Sequence, residues 1–175
     1  IAFSNREYYD GRLVTFPSPV TEDRAVRYVH VPGGVYERGS GRVNREEARA
    51  VVAELVRRLS DPNFERERRS IGIVTFNGEQ QRLIENLLDA ERRSDPALEP
   101  YFDPVRWHEP VFVKNLENVQ GDERDTIFFS VAVAPDAAGR GVSTISSLNK
   151  DGGYRRLNVA ITRARREMVV FATLR

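Results

Sequence analysis

Tyr154-Arg155-Arg156-Leu157-Asn158-Val159-Ala160-Ile161-Thr162-Arg163-Ala164-Arg165-Arg166-Glu167-Met168 carries five arginines in one short amphipathic segment. Leu157, Ile161 and Ala164 recur at spacings of four and three, and Val159-Ala160 widen the apolar stripe. This pattern predicts a helix with one buried side. Arg156 and Arg163 then share a face, while Arg155, Arg165 and Arg166 spread over others. The run Met168-Val169-Val170-Phe171 follows at once and predicts a closing strand, Met168 to Ala172. A helix feeding a buried strand is half of an α/β layer unit. Guanidiniums fixed on such a helix suit a phosphate, because each is a planar fork of donors with a permanent charge. The same cluster also reads as a solvated face with intrahelical pairs, and the rest of the chain has to decide between the two.

Working back from this stretch, Thr126-Ile127-Phe128-Phe129-Ser130-Val131-Ala132-Val133 and Ile71-Gly72-Ile73-Val74-Thr75-Phe76 are apolar, β-branched runs that predict buried strands. Val111-Phe112-Val113 and Arg27 to Val31 are shorter strand candidates. Asn44 opens a helix with Glu47 at capping-box spacing, and Ala48, Val51, Val52, Leu55, Val56 and Leu59 repeat behind it. Ser60-Asp61-Pro62 closes that helix, and Glu65 to Arg69 is a charged face or loop. Asn77-Gly78 turns into a second helix with Leu83, Ile84, Leu87 and Leu88 inward. Ser94 to Trp107 contains three prolines and reads as loop, as do the Gly- and Ser-containing stretches 32–41 and 135–153. Ile1 to Pro19 reads as turns around an extended piece, Arg12 to Phe16. Strands that are apolar throughout and alternate with helices predict an α/β fold, a mostly parallel sheet with helices on both faces.

The 175 residues fit one domain, 1–175. Ile1 is not a natural start, so the chain is expected to be a fragment of a longer one. No apolar run reaches the ~20 residues that span a bilayer, and there is no cysteine. A cytoplasmic protein with no membrane partner is expected. His30 and His108 form no ligand cluster, so no metal site is expected. A net charge of +1 excludes a whole-molecule electrostatic grip on nucleic acid. Any such site must be local.

Three segments lie at strand ends, where open α/β sheets bind ligands. They are Thr75-Phe76-Asn77 with Gln80-Gln81, the stretch Lys114 to Asp125, and the arginine segment. Lys114-Asn115-Leu116-Glu117-Asn118-Val119-Gln120-Gly121-Asp122-Glu123-Arg124-Asp125 sets amides, carboxylates and a glycine between two apolar strands. Such groups bind phosphates, bases or ribose hydroxyls, or simply form a polar loop with Gly121 at its turn. No G-x-x-x-x-G-K-[ST] motif occurs, so the chain alone should not hydrolyse a nucleotide. It can still lend an arginine to a nucleotide held by another domain.

Gln120 to Asp125 and Arg155 to Arg165 resemble motifs V and VI of superfamily 1 DNA/RNA helicases, in the right order and with a strand between them. Ile71 to Gln81 resembles motif IV. Ser4-Asn5-Arg6-Glu7-Tyr8-Tyr9-Asp10-Gly11-Arg12-Leu13 resembles the segment after motif III, so the likeness covers nearly the whole chain. The chain is most similar to the 1B branch and, within it, to large bacterial helicase-like proteins. The resemblance implies a RecA-like three-layer domain, the second of two motor halves. It implies ATP with Mg2+ in the cleft between the halves, Mg2+ ligands on the first half, and single-stranded DNA (or RNA) as partner. Movement from 5′ to 3′ is implied by likeness only.

By the same resemblance Arg163 is the arginine finger on the γ-phosphate, Glu123 accepts from the ribose, and Gln120 and Gly121 line the cleft. Arg156 and Asn158 brace motif VI, and Thr75 and Asn115 touch the nucleic-acid backbone. Asn115 replaces the usual Thr or Ser of motif V. Phe76 replaces the usual Pro of motif IV, and either lines the core or stacks on a base; the first is favoured because Phe is so often buried. The alternative for the whole domain is a catalytically silent nucleic-acid-binding or scaffold module of a larger repair or defence protein. A freestanding nucleotide-binding regulator is disfavoured by the missing P-loop.

Overall fold

In the computed structural model the described residues are 2–14, 25–37, 41–141 and 153–174. Their strands are β1 (Val26–His30), β2 (Ile71–Thr75), β3 (Phe112–Asn115), β4 (Arg124–Ser130) and β5 (Ala164–Ala172). They form one sheet in the order β1-β5-β4-β2-β3, and every neighbouring pair is parallel. All of β2 and the last five residues of β4 are buried. A parallel sheet needs cover on both faces, and its central strands read as unbroken apolar runs for that reason.

Successive side chains go to opposite faces. Ile73, Phe128, Val169 and Phe171 enter one core, with Val51 and Leu55 of α2 (Arg45–Leu59) and Ile84 and Leu88 of α4 (Gly78–Ser94). Val74, Ile127, Phe129 and Met168 enter the other, with Val119 and with Ala160 of α5 (Gly153–Ile161). The result is the expected α/β three-layer arrangement. Gly72 sits inside β2 because a Cβ there would collide with the Phe112 ring.

Two helix starts follow the sequence. Asn44 caps α2 and accepts from the Glu47 amide, and Asn77 caps α4 and accepts from the Gln80 amide. The reciprocal half of the capping box is not made. The Glu47 carboxyl turns inward to Ser130 and Ala132, and the Asn44 amide donates to Gln80 Oε1 instead.

Several expectations are corrected. The arginine segment is not one helix: α5 ends at Ile161, Thr162 and Arg163 turn, and Ala164 already pairs with Arg124 of β4. The ladder to β4 overrides the helical spacing of Ala164, so Arg165 and Arg166 lie on a strand and Arg156 and Arg163 share no helix face. The amino-terminal stretch contains α1 (Ala2–Tyr8). Its turn formers serve as the stop: Asp10 and Gly11 take positive φ, Gly11 donates to the Asn5 carbonyl, and the Asn5 side chain holds both polar groups of Leu13. Residues 15 and 16 of the expected extended piece lie outside the described residues, as does most of the expected loop 135–153. Pro62–Glu67 forms α3, capped by Asp61, with its charges outward. Ser94 to Trp107 is more than loop: a 3-10 turn, Pro96–Phe102, buries Leu98, and Trp107 stacks on Phe64 at 5.8 Å.

Candidate functional site

The expected nucleotide residues gather at the amino-terminal edge of β4 and β5. Val119 is fully buried and anchors the turn that follows it. Gln120 and Gly121 stand exposed on that turn. Gly121 has φ +90, and a Cβ there would meet nothing within 4 Å, so backbone conformation and not space requires glycine. Lys114 pairs with Asp122 at 2.5 Å and pins the loop to β3. The Glu123 carboxylate is 57% exposed, and the next residue, Arg124, donates its amide to the Arg163 carbonyl at 3.1 Å. Glu123 and Arg163 are thereby held immediately before two adjacent strands at one edge. This is the edge opposite to the carboxyl ends of the strands, where ligand groups of open α/β sheets are first sought.

Arg163 and Arg165 differ sharply. Arg163 Nε donates to the Val159 carbonyl at 2.9 Å in the last turn of α5, and its Nη2 donates to Thr162 Oγ1 at 3.1 Å. A cation on the last carbonyls of a helix is favourable, and it leaves a face of the guanidinium unspent. Among the described residues no carboxylate pairs with Arg163. Arg165 forks onto Glu109, contacts Asp125 at 3.3 Å and Glu123 at 3.6 Å, and donates to Ser70 Oγ. Ser70 Oγ in turn donates to Glu109 at 2.6 Å. The Arg165 guanidinium holds the Glu109 carboxyl down at about 2, and the Ser70 hydroxyl assists. Arg165 therefore clamps the strand starts together and is not available to a phosphate. Arg155 lies on the Tyr154 ring, 5.6 Å from its centroid.

The expected nucleic-acid residues sit at the opposite edge. Thr75 and Asn115 end β2 and β3 and face each other in register, with Ser130 of β4 on the other side of Thr75. Thr75 is fully buried and its hydroxyl donates to the Asn77 carbonyl at 2.8 Å, so it presents no face to a phosphate as placed. Asn115 is half-buried, with its amide nitrogen on Gln81 and its oxygen accepting from the Glu117 amide. Phe76 is buried edge-on to Phe129 at 5.0 Å, which makes it a core residue. Asn158 is buried at the α1–α5 seam, where its amide meets the Tyr9 hydroxyl at 3.4 Å beside the stacked rings of Tyr8 and Tyr154. Arg156 on the same helix is half-buried and pairs with no carboxylate among the described residues.

The AAA domain family model matches residues 1–175, the whole chain. The chain belongs to the AAA domain family. It is 38% identical over its full length to an uncharacterized ATP-dependent helicase of Mycoplasma genitalium and 37% identical to the homologue in Mycoplasma pneumoniae. It spans 15% of the length of each. The chain is thus an AAA-family domain that is similar to part of these ATP-dependent helicases. A solved structure, the C-terminal domain of a possible DNA helicase from Lactobacillus plantarum, aligns over 86% of this chain and 74% of that one, with a TM-score of 0.48 and 16% identity.

Within this AAA domain the amino-terminal edge offers a guanidinium without a carboxylate partner among the described residues, an exposed carboxylate and a glycine turn. That donor set fits the phosphates and ribose of a nucleotide. No group of His, Cys, Asp or Glu among the described residues is arranged to hold a metal ion. No helix among them is long and apolar enough to cross a membrane. An open cleft of about 630 Å3 beside α3 is lined by Arg27, Arg57, Arg58 and Arg166, but the first three are tied to Glu54 and Glu167. Burial alone would raise the Glu54 carboxyl; Arg57, Arg27 and Arg58 override it and hold it at about 2. The sequence reading named Glu47 as a cap residue and Gln80 in a strand-end segment but missed the buried polar chain in which they join Ser130. Its signal was available: Glu47 lies on the stripe of Val51 and Leu55, one and two turns before them.

Proposed function

We propose that this AAA domain is the second motor half of a superfamily 1 helicase or translocase, which completes an ATP site formed with a first motor half. The observation that carries this reading is Arg163: a guanidinium oriented by the end of α5, without a carboxylate partner among the described residues, next to the strand start that follows the exposed Glu123. ATP bound there would supply the bond that is cleaved, and Mg2+ would be held by the first half, where it would supply charge neutralisation. Arg163 stabilises the charge that develops on the transferred γ-phosphoryl group, a role worth about 10³–10⁵ in rate. Glu123 accepts from the ribose, and Gln120 and Gly121 line the same cleft.

At the other edge Asn115 contacts the backbone of a single strand, DNA in the first instance. Thr75 supports that edge from beneath, its hydroxyl spent on Asn77. Arg156 and Asn158 brace α5 against α1. Contacts of this kind carry no base preference.

The test is ATP hydrolysis by the full-length chain carrying both motor halves, with and without single-stranded DNA, as wild type and as Arg163→Ala. A strand-stimulated rate that collapses in the variant while ATP still binds supports the reading. A wild type that binds strand without hydrolysing ATP sinks it and leaves a silent binding module.

A further inference from the structure

Among the described residues Glu47 is the one carboxyl with no exposure at all. It sits in the first turn of α2, and no step proposed above uses it. Its Oε1 accepts from Ser130 Oγ at 2.7 Å and from the Ala132 amide at 2.6 Å, while Oε2 has no partner. Ser130 Oγ also accepts from Gln80 Nε2 at 3.2 Å. Gln80 in turn takes the Asn44 amide at 2.9 Å and donates to the Asn44 carbonyl, and Asn44 reaches Thr173 Oγ1 at 2.9 Å. One chain of buried polar groups therefore joins the starts of α2 and α4 to the ends of β4 and β5.

Two features make Glu47 more than filling. Ala132, whose amide it holds, is a buried non-glycine residue at φ +62, a left-handed backbone that a Cβ resists. Ser130, whose hydroxyl it holds, lies in register beside Thr75, which lies in register beside Asn115. A shift at Ser130 is therefore passed along the carboxyl-terminal edge.

We propose that Glu47 is a positioning residue for the nucleic-acid edge: its carboxyl fixes Ser130 and Ala132 and so sets Thr75 and Asn115 for a single strand. This rests on the reading of that edge given above. Burial raises the Glu47 carboxyl to about 7 against the hydrogen bonds from Ala132 and Ser130. The ionisable groups on the packed elements are engaged elsewhere: Arg45 with Glu37, Glu46 with Arg49, Glu79 with Arg42, and His30 with the Thr173 carbonyl. Ionisation would thus set an uncompensated negative charge beneath the edge that takes phosphates.

The experiment measures, on the full-length chain, the concentration of single-stranded DNA that half-saturates ATPase stimulation, together with the KM for ATP, from pH 6 to pH 8. Glu47→Ala is expected to raise the half-saturating strand concentration about tenfold or more, as small misplacements at a distance do, while KM for ATP moves less than about twofold. Glu47→Gln keeps the acceptor for Ser130 and Ala132 and is expected to restore strand affinity. The wild-type value should rise with pH across this range and the Glu47→Gln value should stay flat. If Glu47→Ala does not fold, the pH comparison between wild type and Glu47→Gln decides alone. An unmoved half-saturation in Glu47→Ala, or identical pH profiles in wild type and Glu47→Gln, overturns the proposal. A wild type with no strand stimulation overturns instead the functional reading on which it rests.

Discussion

The two edges of the sheet are built from different materials. At the amino-terminal edge the groups are charged and partly solvated: Arg165 gathers Glu109, Asp125 and Glu123, and Arg163 stands beside them with no carboxylate partner among the described residues. At the carboxyl-terminal edge they are neutral or buried: Thr75, Asn115, Ser130, Gln80 and Glu47 are joined by amides and hydroxyls. A charge helps a reaction only if it faces the group on which charge develops, so the first edge spends its carboxylates on Arg165 and spares Arg163. Buried hydrogen-bonded networks rigidify a surface that must keep a shape, and in this one Glu47 Oε2 alone is left without a partner among the described residues. The difference predicts which measurement each edge controls.

The largest effect belongs to Arg163. Arg163→Ala should cut strand-stimulated hydrolysis by about 10³ or more, with strand binding close to wild type. Arg165→Ala should leave the chemical step within about tenfold, since its guanidinium is already committed to three carboxylates. Equal losses from the two substitutions, in single-turnover kinetics, would remove the distinction between them.

Next is the acid dependence of stability. Glu47 binds its proton more tightly folded, near 7, than its ordinary value of 4.5. The folded state therefore holds more protons between these values, and stability falls as pH rises from about 4.5 to about 7, by about 3 kcal/mol at most. Glu109 and Glu54, both held at about 2, act in the opposite sense. Their contribution is complete above about 4.5 and is lost as pH falls toward about 2. Urea midpoints of wild type and Glu47→Gln from about pH 2 to about pH 8 separate the two: the downward slope above about 4.5 should vanish in the variant, and the acid limb should remain.

How much of this the sequence shows depends on range. Runs such as Ile71 to Thr75 and Thr126 to Ser130 declare themselves, because burial on both faces keeps their centres apolar and leaves polar side chains, Thr75, Thr126 and Ser130, only at their ends. Asn44 and Asn77 declare helix starts through contacts three residues away. The boundary between α5 and β5 does not: Leu157, Ile161 and Ala164 keep helical spacing, and only the ladder to Arg124, far off in sequence, makes Ala164 a strand residue. Motif order points to Arg163, Glu123 and Asn115, but not to the burial of Thr75 or the carboxylates around Arg165, which come from strands that meet only in the folded sheet. Glu47 is legible on its stripe and hidden by its chemistry, since a glutamate at capping-box spacing has a simpler explanation.

Arg165→Ala should also cost stability. Removing it leaves Glu109 and Asp125 close together and partly shielded, with only Ser70 between them. Because Arg165 itself is about one-third exposed, solvent screens the pair, and a loss of about 1–2 kcal/mol is expected from urea midpoints. High salt should shrink this loss; a loss unchanged at 1 M salt would show that packing of the side chain, not its charge, ties the strand starts together.

The smallest effect sharpens the comparison most. Asn115→Ala removes an amide that touches Gln81 and the Glu117 backbone, and nothing of the ion-pair edge. One hydrogen bond to a strand is worth about 1 kcal/mol, so strand affinity should fall about threefold to tenfold. Unstimulated hydrolysis and KM for ATP should not change. Asn115→Thr, which restores a small polar group at the end of β3, should recover most of the affinity. If Asn115→Ala instead moved KM for ATP as much as strand affinity, the two edges would not act separately, and binding at one would have to be transmitted through β4, whose ends reach both.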